Sequence, residues 1–487
     1  MRNLQDILYK AGMTELNGSL NLDVRQIIFD SREVKSGDVF VAVKGFSVDG
    51  HQFIDKAIMQ GAKAIICETL PKNLTKNVTY VVVKDSAYAL GIMSSNFYDN
   101  PSKNLKLIGI TGTNGKTTTT TLLHNLVTDM GYVAGLISTV VNKIGKTEIS
   151  STHTTPNPIV LNQLLRNMVD AGCEICFMEV SSHAIHQKRI TGLEFDIAGF
   201  TNISHDHLDY HKTFKEYINA KKAFFDQLSS NAIALTNIDD KNGRVMVQNT
   251  NATVKTFALK TIADYKVKIL ENTFQGLVLN INNQDVWTRL IGDFNAYNLA
   301  LVYAIAMELN LENIEVLTAI SKLKSVEGRF QYFKSDKNII AIVDYAHTPD
   351  ALKNVLSTIN SVRTKNEKVI TVVGCGGDRD KEKRPVMAEI SAYNSDQTIL
   401  TSDNPRTENP EQIIKEMQVG IPAERSAKVM AITSRTEAIK VACALANEGD
   451  ILLIAGKGHE KYQEINGEKL PFDDFKIVKQ TLKNLSK

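Results

Sequence analysis

The sequence is poor in tryptophan, in cysteine and in long apolar runs, with one Trp and five Cys among 487 residues. So few cysteines form no disulfide framework, which favours a reducing compartment. Cys173 and Cys176 form a lone C-x-x-C in an apolar stretch, where core packing is favoured over zinc or redox chemistry. No stretch reaches the ~18 apolar residues of a membrane span, and the N-terminus lacks the apolar segment of a signal peptide. We therefore expect a cytoplasmic protein without membrane insertion.

A strong imbalance of charge is also missing. The formal net charge is +2, so nothing points to nucleic acid as a partner. The chain is longer than one hydrophobic core supports, and its length suggests about three domains. Alternating strand and helix patterns predict an α/β fold, with a small domain at 1–103, a larger one at 104–333 and a doubly wound, Rossmann-like sheet at 334–487.

Glycines are concentrated in the segment 109–117, GITGTNGKT. An apolar strand pattern precedes it at 105–108, and helical spacing of leucines follows at 118–130. This context predicts a phosphate-binding loop, in which Lys116 neutralises the outer phosphates and Thr117 ligates Mg²⁺. The glycine spacing departs from G-x-x-x-x-G-K-[ST], because Ile110 occupies the first glycine position. We nevertheless favour a nucleoside triphosphate site over a chance glycine-rich turn.

In the first domain, a polar triplet follows an apolar strand pattern. Strands are predicted at 27–30, 39–43 and 64–67, with a helix over 50–61. Asp30-Ser31-Arg32 stands at the end of the first strand. A ligand site and a turn or helix cap are equally compatible with this triplet.

Acids, histidines and hydroxyls follow the apolar strands of the second domain, in the segments 152–156, 179–183 and 202–211. Glu179 and His207 each end an apolar strand, where the active sites of open α/β sheets lie. Because Thr117 belongs to the same domain, we predict that these residues bind a metal ion.

Two other positions in this domain have competing interpretations. Lys221, beside Lys222 in a helix that starts near Tyr217, is interpreted from the residues alone as an exposed lysine. Asn295 and Asn298 open a helical run over 296–309, where a nucleotide base contact competes with helix capping.

The third domain repeats the pattern of polar segments after strands. Strands are predicted at 339–343, 369–373, 398–400, 429–432 and 451–454. The polar segments are DYAHTP at 344–349, GCGGDR at 374–379, DNPR at 403–406 and GKGHE at 456–460. The glycines at 374–377 lack the continuation of a dinucleotide turn, so no NAD site is predicted.

Taken in chain order, these motifs resemble those of the Mur ligases, the ATP-dependent amide-bond ligases of peptidoglycan precursor synthesis. The resemblance covers all three domains and rests on Asp30-Ser31-Arg32 with Gly37-Asp38 and on the segments 111–117, 179–183, 205–211, 220–221, 344–349, 403–406 and 456–460. It implies a UDP-binding first domain, a P-loop ATPase second domain and an amino-acid-binding third domain.

The resemblance also implies individual site residues. The implied ATP contacts are Gly112, Thr113, Asn114, Gly115, Lys116, Thr117, Thr118, Asn298, Arg329, Asp344 and His347. The implied contacts to the UDP-MurNAc-dipeptide are Phe29, Ser31, Phe46, Ser47, Val48, Thr154, Thr155, Ser181, Gln187 and Arg189. The implied amino-acid contacts are Arg379, Asp403, Asn404, Pro405, Arg406, Gly456 and Glu460.

Catalytic roles are implied for Lys116, Glu179, His207 and Lys221. The resemblance implies that Lys221 carries a carbamate derived from CO₂ and binds Mg²⁺ with Thr117, Glu179 and His207. Such a carbamate would replace the positive charge of the ammonium with oxygen ligands.

The implied reaction adds meso-2,6-diaminopimelate to UDP-MurNAc-L-Ala-D-Glu through an acyl phosphate. In the family, the D-N-P-R form at 403–406 accompanies this amino acid. The physics agrees, because the guanidinium of Arg406 can hold the second carboxylate of the substrate through two parallel hydrogen bonds. An L-lysine-adding ligase and, from another class, a P-loop regulator that switches without ligation are the alternatives. We expect small-molecule partners and a monomer.

Overall fold

The computed structural model describes residues 1–45, 48–204, 206 and 208–487. The predicted ligand residues Phe46, Ser47 and His207 lie outside the described residues. None of the helices within the described ranges combines the length and apolar character that crossing a bilayer requires.

The first domain is built on a five-stranded sheet in the order β2-β7-β6-β5-β4. Its inner strands are buried on both faces, because their residues are apolar without alternation. The predicted helix over 50–61 is a 3₁₀ turn, Gly50–Phe53, followed by an α-helix. The elements are β1 Arg2–Asn3, α1 Leu4–Ile7, β2 Met13–Asn17, β3 Asp23–Val24, β4 Ile27–Ile28, β5 Val39–Val41, α2 Ile54–Met59, β6 Ala64–Cys67, β7 Thr79–Val83 and α3 Ser86–Phe97.

The second domain contains an eleven-stranded sheet in the order β11-β10-β9-β12-β8-β13-β14-β15-β16-β17-β18. The strands from β9 to β16 in this order are parallel, so their carboxyl ends meet at one edge. The strands are β8 Lys106–Thr111, β9 Ala134–Ile137, β10 Val141–Ile144, β11 Thr147–Ser150, β12 Ile175–Glu179, β13 Ile197–Phe200, β14 Ile233–Asn237, β15 Thr253–Ala258, β16 Tyr265–Thr273, β17 Gly276–Ile281 and β18 Gln284–Thr288. The helices are α4 Lys116–Asp129, α5 Pro158–Asp170, α6 Ser182–His186, α7 Leu208–His211, α8 Phe214–Asp226, α9 Gly243–Met246, α10 Asp293–Glu308 and α11 Asn313–Lys322.

The antiparallel extension of this sheet, β16 to β18, is a feature that the sequence patterns did not predict. Leu277, Leu279 and Ile281 of β17 alternate with more exposed residues and join the core beside α10. The alternation follows from a hairpin with one covered face.

The third domain has a six-stranded sheet in the order β19-β20-β24-β21-β22-β23, parallel except for β19. The predicted doubly wound α/β unit is confirmed. Strand β19 belongs to this sheet and spans the predicted boundary at 333/334. The elements are β19 Gln331–Lys334, β20 Ile340–Asp344, α12 Pro349–Val362, β21 Val369–Cys375, α13 Lys383–Asn394, β22 Gln397–Ser402, α14 Pro410–Gln418, β23 Val429–Ala431, α15 Arg435–Leu445, β24 Ile451–Ala455, β25 Tyr462–Ile465, β26 Glu468–Pro471 and α16 Asp474–Asn484.

Both domain junctions are packed. Helix α3 of the first domain contacts the segment after α6, where the Ser95 hydroxyl donates to Gly192 O at 3.0 Å and Asp85 pairs with Lys188. At the other junction, the rings of Phe294 and Phe330 pack edge to face with centroids 5.5 Å apart. The first set of contacts joins the first and second domains, and the aromatic pair lies where the second domain meets the third.

The buried ion pair between Arg435 and Asp474 makes a testable contribution to the stability of the third domain. Both side chains are fully buried and form two hydrogen bonds, at 2.9 and 2.7 Å. Asp474→Asn removes the hydrogen-bonded counter-charge and leaves only Asp403, whose Oδ2 is 3.9 Å from Arg435 Nη1, so we expect the free energy of unfolding to fall by about 3–5 kcal/mol. Glu437→Gln, which removes an exposed pair with Lys440, should cost less than about 1 kcal/mol. Urea denaturation of both variants tests this, and equal losses would contradict it.

Candidate active site

A cavity of about 500 Å³ lies between the second and third domains, at the carboxyl ends of β8, β12 and β20. It brings together predicted residues from distant parts of the sequence. The predicted residues that line it are Thr113, Asn114, Gly115, Lys116, Thr117, Thr118, Thr154, Glu179, Asn298, Arg329, Asp344 and His347.

The glycine loop adopts a conformation that requires its glycines. Gly112 and Gly115 have φ angles of +150° and +89°, which L side chains rarely adopt. A Cβ on Gly115 would lie 2.5 Å from Asn298 Oδ1. The Asn202 side chain accepts from Asn114 N at 3.0 Å and donates to Asn114 O at 3.1 Å. These contacts fix the loop at the N-terminus of α4, where backbone N–H groups and the helix dipole attract anions.

Lys116 holds its ammonium over this loop. Its Nζ donates to the carbonyl oxygens of Gly112 and Thr113 at 2.9 and 3.0 Å. Burial lowers the pKa of Lys116, whereas the carboxylates of Glu179 and Asp206 oppose that shift. A cation at this place can neutralise the outer phosphates of a nucleotide bound to the loop.

The interpretation of Lys221 as an exposed lysine is wrong. Its side chain is 1% exposed, and Nζ donates to Gly112 O at 2.8 Å and lies 4.6 Å from the ring centroid of Tyr217. Burial lowers the pKa of Lys221 well below its ordinary value, and the charge of Lys116 lowers it further. Lys222 instead forms an ion pair one turn along the helix. Which of two adjacent lysines turns inward depends on how α8 packs, which the sequence pattern left open.

Glu179 is anchored at the cavity edge by a loop rich in hydroxyl groups. Thr139 donates from its backbone N to Glu179 Oε1 at 2.6 Å and from Oγ1 to Oε2 at 3.1 Å. The hydroxyl oxygens of Thr139 and Thr154 are 3.0 Å apart, and Thr155 Oγ1 donates to Glu179 O at 2.8 Å. The predicted residues Thr154, Thr155 and Glu179 therefore form one cluster.

A second predicted cluster continues from Thr155. Arg189 Nη1 donates to Thr155 O at 2.8 Å, and its Nε and Nη2 donate to Gln187 Oε1 at 3.0 and 2.6 Å. Ser181 N donates to Thr155 Oγ1 at 3.2 Å. Burial lowers the pKa of the Arg189 guanidinium. The arrangement supplies a cation and hydroxyl groups next to Glu179, which suits an anionic substrate.

The linker between the second and third domains places the guanidinium of Arg329 in the cavity. Arg329 Nη2 donates to Thr117 Oγ1 at 3.3 Å, and the guanidinium lies 4.5 Å from the ring centroid of Tyr345. Phe330 N donates to Asp344 Oδ2 at 2.6 Å, and burial raises the pKa of Asp344 to about 6 against the opposing effect of Arg329. His347 Nδ1 lies 2.8 Å from Tyr345 O. The nucleotide loop thus meets the third domain through Arg329.

A polar pocket lies at the carboxyl ends of β22 and β24 in the third domain. Asn404 Nδ2 donates to Glu460 Oε2 at 2.8 Å. The buried Lys457 donates to Asn404 Oδ1 at 2.8 Å and to Glu460 Oε2 at 3.0 Å. Gly456 has a φ of +118°, and a Cβ there would lie 2.5 Å from Asp403 Oδ2. The predicted residues of the DNPR and GKGHE segments therefore meet in one place.

The two predicted arginines of this pocket differ in their surroundings. Arg406 has a φ of +52°, and its Nη1 donates to Gly377 O at 2.7 Å. A Cβ on Gly376 would lie 3.0 Å from Arg406 Nη1 and 3.8 Å from Arg379 Cγ, whose side chain is exposed. The carbonyl oxygen of Pro405 packs against Gly377, where a Cβ would lie only 1.9 Å from it. Both arginines therefore border the same glycine loop.

Phe29, Ser31 and Val48, the described predicted residues of the first domain, do not line the large cavity. Phe29 lines a second cavity of about 170 Å³ between β4 and the start of α5. Ser31 is buried, and Val48 is exposed. Asp30 holds Arg32 through hydrogen bonds of 2.9 and 2.6 Å, and the guanidinium keeps the pKa of Asp30 at about 2.

The described residues supply only part of the donor set that was predicted to bind a metal ion. Among residues 1–45, 48–204, 206 and 208–487, no three His, Cys, Asp or Glu side chains form a metal-binding group. Thr117 and Glu179 line the same cavity and supply a hydroxyl and a carboxylate. Oxygen donors of this kind are the ligands that Mg²⁺ prefers.

Several residues that line the cavity were not among the predicted site residues, and two of them, Thr139 and Tyr345, contact predicted ones. Thr139 bonds the carboxylate of Glu179, and Tyr345 lies against Arg329. Both follow parallel strands, β9 and β20, so the carboxyl-end rule that found Glu179 could have found them too.

Three domain families match successive parts of the chain. "Mur ligase family, catalytic domain" matches residues 23–98, "Mur ligase middle domain" matches 110–306, and "Mur ligase, glutamate ligase domain" matches 328–458.

Full-length relatives are also similar to this chain. The UDP-N-acetylmuramoyl-L-alanyl-D-glutamate–2,6-diaminopimelate ligase of Cytophaga hutchinsonii is 54% identical, covering 99% of this chain and 100% of that protein. The ligase of the same name from Phocaeicola vulgatus is 51% identical, covering 99% of each chain. A solved structure of a ligase of that name is 32% identical, with a TM-score of 0.70, and covers 100% of this chain and 99% of its own.

The contact between Gly115 and Asn298 makes the loop conformation testable. Gly115→Ala places a methyl group against Asn298 at a φ of +89°, so we expect nucleotide affinity to fall by roughly tenfold or more. Gly131→Ala is a matched control, because Gly131 has a φ of +97° with nothing within 4 Å of a Cβ. Calorimetric titration with an ATP analogue should show the loss only for Gly115→Ala. Equal affinity in both variants would contradict this account.

Proposed function

Because this chain belongs to the Mur ligase family, we propose that it adds meso-2,6-diaminopimelate to UDP-MurNAc-L-Ala-D-Glu and converts ATP to ADP and phosphate. The observation that carries the proposal is the single cavity in which the glycine loop, Glu179 and the third-domain residues Asp344 and His347 meet. A ligase that couples ATP cleavage to amide formation needs such a meeting point. The names and coverage of the full-length relatives support the choice of substrates.

We assign one substrate to each domain. Residues 1–103 hold the UDP end, 104–333 bind ATP, and 334–487 bring the amino acid. The second cavity, beside Phe29 and α5, supports the first assignment because it lies where the first two domains adjoin. Small-molecule substrates, a cytoplasmic location and a monomeric state complete the proposal.

The carboxylate of the dipeptide is a poor electrophile, so it must be activated before an amine can attack it. A carboxylate oxygen of the dipeptide attacks the γ-phosphorus of ATP, the bond to the bridging oxygen breaks, and ADP leaves. The amine then attacks the carbonyl carbon and loses a proton, and phosphate departs from the tetrahedral intermediate. Lys116 of the glycine loop and Arg329 of the linker to the third domain both line the cavity, and they offset the repulsion between the approaching anions.

The residues present fit Mg²⁺. Thr117 and Glu179 would hold the ion, together with the proposed ligands His207 and the modified Lys221. When bound, Mg²⁺ would neutralise charge on the phosphate oxygens. The backbone and hydroxyl of Thr139 keep the Glu179 carboxylate oriented toward this task.

The environment of Lys221 supports its carbamylation. A neutral amine attacks CO₂, forming an N–C bond and releasing a proton. The burial of Lys221 and the neighbouring Lys116 both favour the neutral amine. An unmodified ammonium at that place would repel both Lys116 and a metal ion.

Selection of the amino acid falls to the pocket around Arg406. Meso-diaminopimelate carries a second carboxylate that a guanidinium can hold, whereas L-lysine would leave Arg406 without that partner. This favours diaminopimelate over the lysine-adding alternative. A regulator that only switches would not need the pocket formed by Asn404, Lys457 and Glu460.

The role of Lys221 is testable by substitution and chemical rescue. Lys221→Ala should lower turnover by roughly 10²-fold, because a metal-binding group is lost. Short-chain carboxylic acids should restore part of the activity by filling the space of the carbamate. Lys222→Ala, which removes a partly buried ion pair with Asp226 on the same helix, should retain activity. A phosphate-release assay measures all three, and full turnover of Lys221→Ala or failure of rescue would contradict the role.

The proposed function is tested by requiring both co-substrates. Wild-type protein should release phosphate from ATP only when UDP-MurNAc-L-Ala-D-Glu and meso-diaminopimelate are both present, with L-lysine and L-ornithine much poorer. Arg406→Ala should raise the KM for diaminopimelate by roughly ten- to over a hundredfold with ATP binding retained. Arg425→Ala is the control, since this partly buried arginine of the same domain lies over the ring of Tyr393, 5.5 Å from its centroid. No phosphate release with both substrates would refute the function, and an unchanged KM would refute the role of Arg406.

A further inference from the structure

The hydroxyl group of Tyr210, to which the proposed function gives no role, lies beside two residues assigned to the dipeptide. Gln187 Nε2 donates to Tyr210 OH at 3.1 Å, and His186 Nδ1 lies 2.8 Å from the same oxygen. Burial lowers the pKa of the Arg189 guanidinium, whereas Tyr210 opposes that shift, so the tyrosine is also close to this cation. The hydroxyl therefore belongs to a polar chain that ends at Arg189.

The orientation of the Gln187 amide group connects the tyrosine to the arginine. Arg189 Nε and Nη2 donate to Gln187 Oε1 at 3.0 and 2.6 Å, and these bonds require the amide oxygen on that side. The amide nitrogen then faces Tyr210, whose oxygen accepts its hydrogen. A flipped amide would set N–H groups against the guanidinium, which has no acceptor. The tyrosine hydroxyl therefore favours the one amide orientation that can hold Arg189.

The guanidinium of Arg189 keeps binding capacity in this arrangement. Besides the two bonds to Gln187, its Nη1 donates to Thr155 O at 2.8 Å. Within the described residues, three of the five N–H groups of a guanidinium are thus engaged, and two remain for an anion. Because the guanidinium is already held on two sides, it loses little side-chain freedom when an anion binds.

The position of Tyr210 is fixed by its contacts with α6. The ring centroids of Tyr210 and His183 are 4.1 Å apart, and the ring of His186 packs edge-on at 5.4 Å. The next residue, His211, is 5% exposed, and its Nε2 lies 3.0 Å from Ser182 Oγ. Helix α7 is therefore attached to α6 through both residues, and the phenol ring stays in place when only its hydroxyl is removed.

We propose that Tyr210 is a positioning residue for the dipeptide, whose hydroxyl orients Gln187 and, through it, the guanidinium of Arg189 that binds a carboxylate of this substrate. The inference rests on the proposed function. It assigns Tyr210 an effect on the affinity for UDP-MurNAc-L-Ala-D-Glu, and none on ATP or the amino acid.

Tyr210→Phe tests this role, because it keeps the ring against His183 and removes only the hydroxyl. The KM for UDP-MurNAc-L-Ala-D-Glu should rise by roughly three- to tenfold, as expected for the loss of one hydrogen bond between neutral groups. The kcat and the KM values for ATP and meso-diaminopimelate should not change. Tyr393→Phe is the matched control, since it removes an exposed hydroxyl bonded to Glu424 in the third domain and should alter none of these values.

A double variant tests whether the hydroxyl acts through the arginine. Arg189→Lys should raise the KM for the dipeptide substrate by itself, because a lysine cannot reproduce the bonds to Gln187. Adding Tyr210→Phe to Arg189→Lys should raise this KM no further, since the group on which the hydroxyl acts is already gone. Multiplied effects of the two changes would show that Tyr210 acts independently of Arg189, and the inference would be wrong.

The remaining outcomes separate the inference from the proposed function. If wild-type protein shows no turnover with both co-substrates, the proposed function fails and this inference fails with it. If wild-type protein is active but Tyr210→Phe leaves the dipeptide KM unchanged, the inference alone is wrong. It is also wrong if Tyr210→Phe raises all three KM values equally, which indicates a merely structural role, or if it lowers kcat instead, which indicates an effect on the neighbouring segment that carries His207.

Discussion

The contact of Arg329 with two domains is the constraint on which the arrangement of the cavity depends. Its guanidinium bonds the Thr117 hydroxyl at the start of α4 and lies against the Tyr345 ring after β20. The backbone next to it is fixed by the bond from Phe330 N to Asp344. A short linker therefore places the carboxyl ends of two separate sheets on opposite sides of one cavity. Reacting groups from both domains can meet there because parallel strands end with their polar segments at one edge.

Two lysine side chains, Lys116 and Lys221, lie close together beside the cavity, where burial favours the neutral form of an amine. Lys116 and Lys221 both reach the carbonyl of Gly112, and burial lowers the pKa of each. Two buried ammonium groups this close destabilise one another, and the nearby carboxylates of Glu179 and Asp206 offset this only in part. A bound polyphosphate would relieve the repulsion at Lys116, and conversion of Lys221 to an anion would remove it. The electrostatics of the site therefore favour the same two changes that the proposed chemistry includes.

The third-domain pocket combines three short segments that are separate in the chain. The loop at 403–406, the glycine-rich turn at 456–460 and strand β25 exchange hydrogen bonds through Asn404, whose side chain contacts Lys457, Glu460 and the backbone of Glu464. One buried amide thus sets the relative positions of most of the charged groups there. Moving any one of these segments would therefore break hydrogen bonds to the other two.

The sequence by itself determined the features that depend on local order. The strand, glycine and helix succession around Gly112 predicted a phosphate loop, and polar segments after apolar strands predicted Glu179 and the 403–406 loop, because such patterns need only the neighbouring residues. Tertiary structure decided the rest. Whether Lys221 or Lys222 turns inward depends on the packing of α8, and the place of Glu464 beside Arg406 depends on a hairpin docking against a loop about 60 residues earlier. The extension of the second sheet by β16 to β18 was likewise not predicted from the sequence. One face of this hairpin is buried only because a helix packs against it.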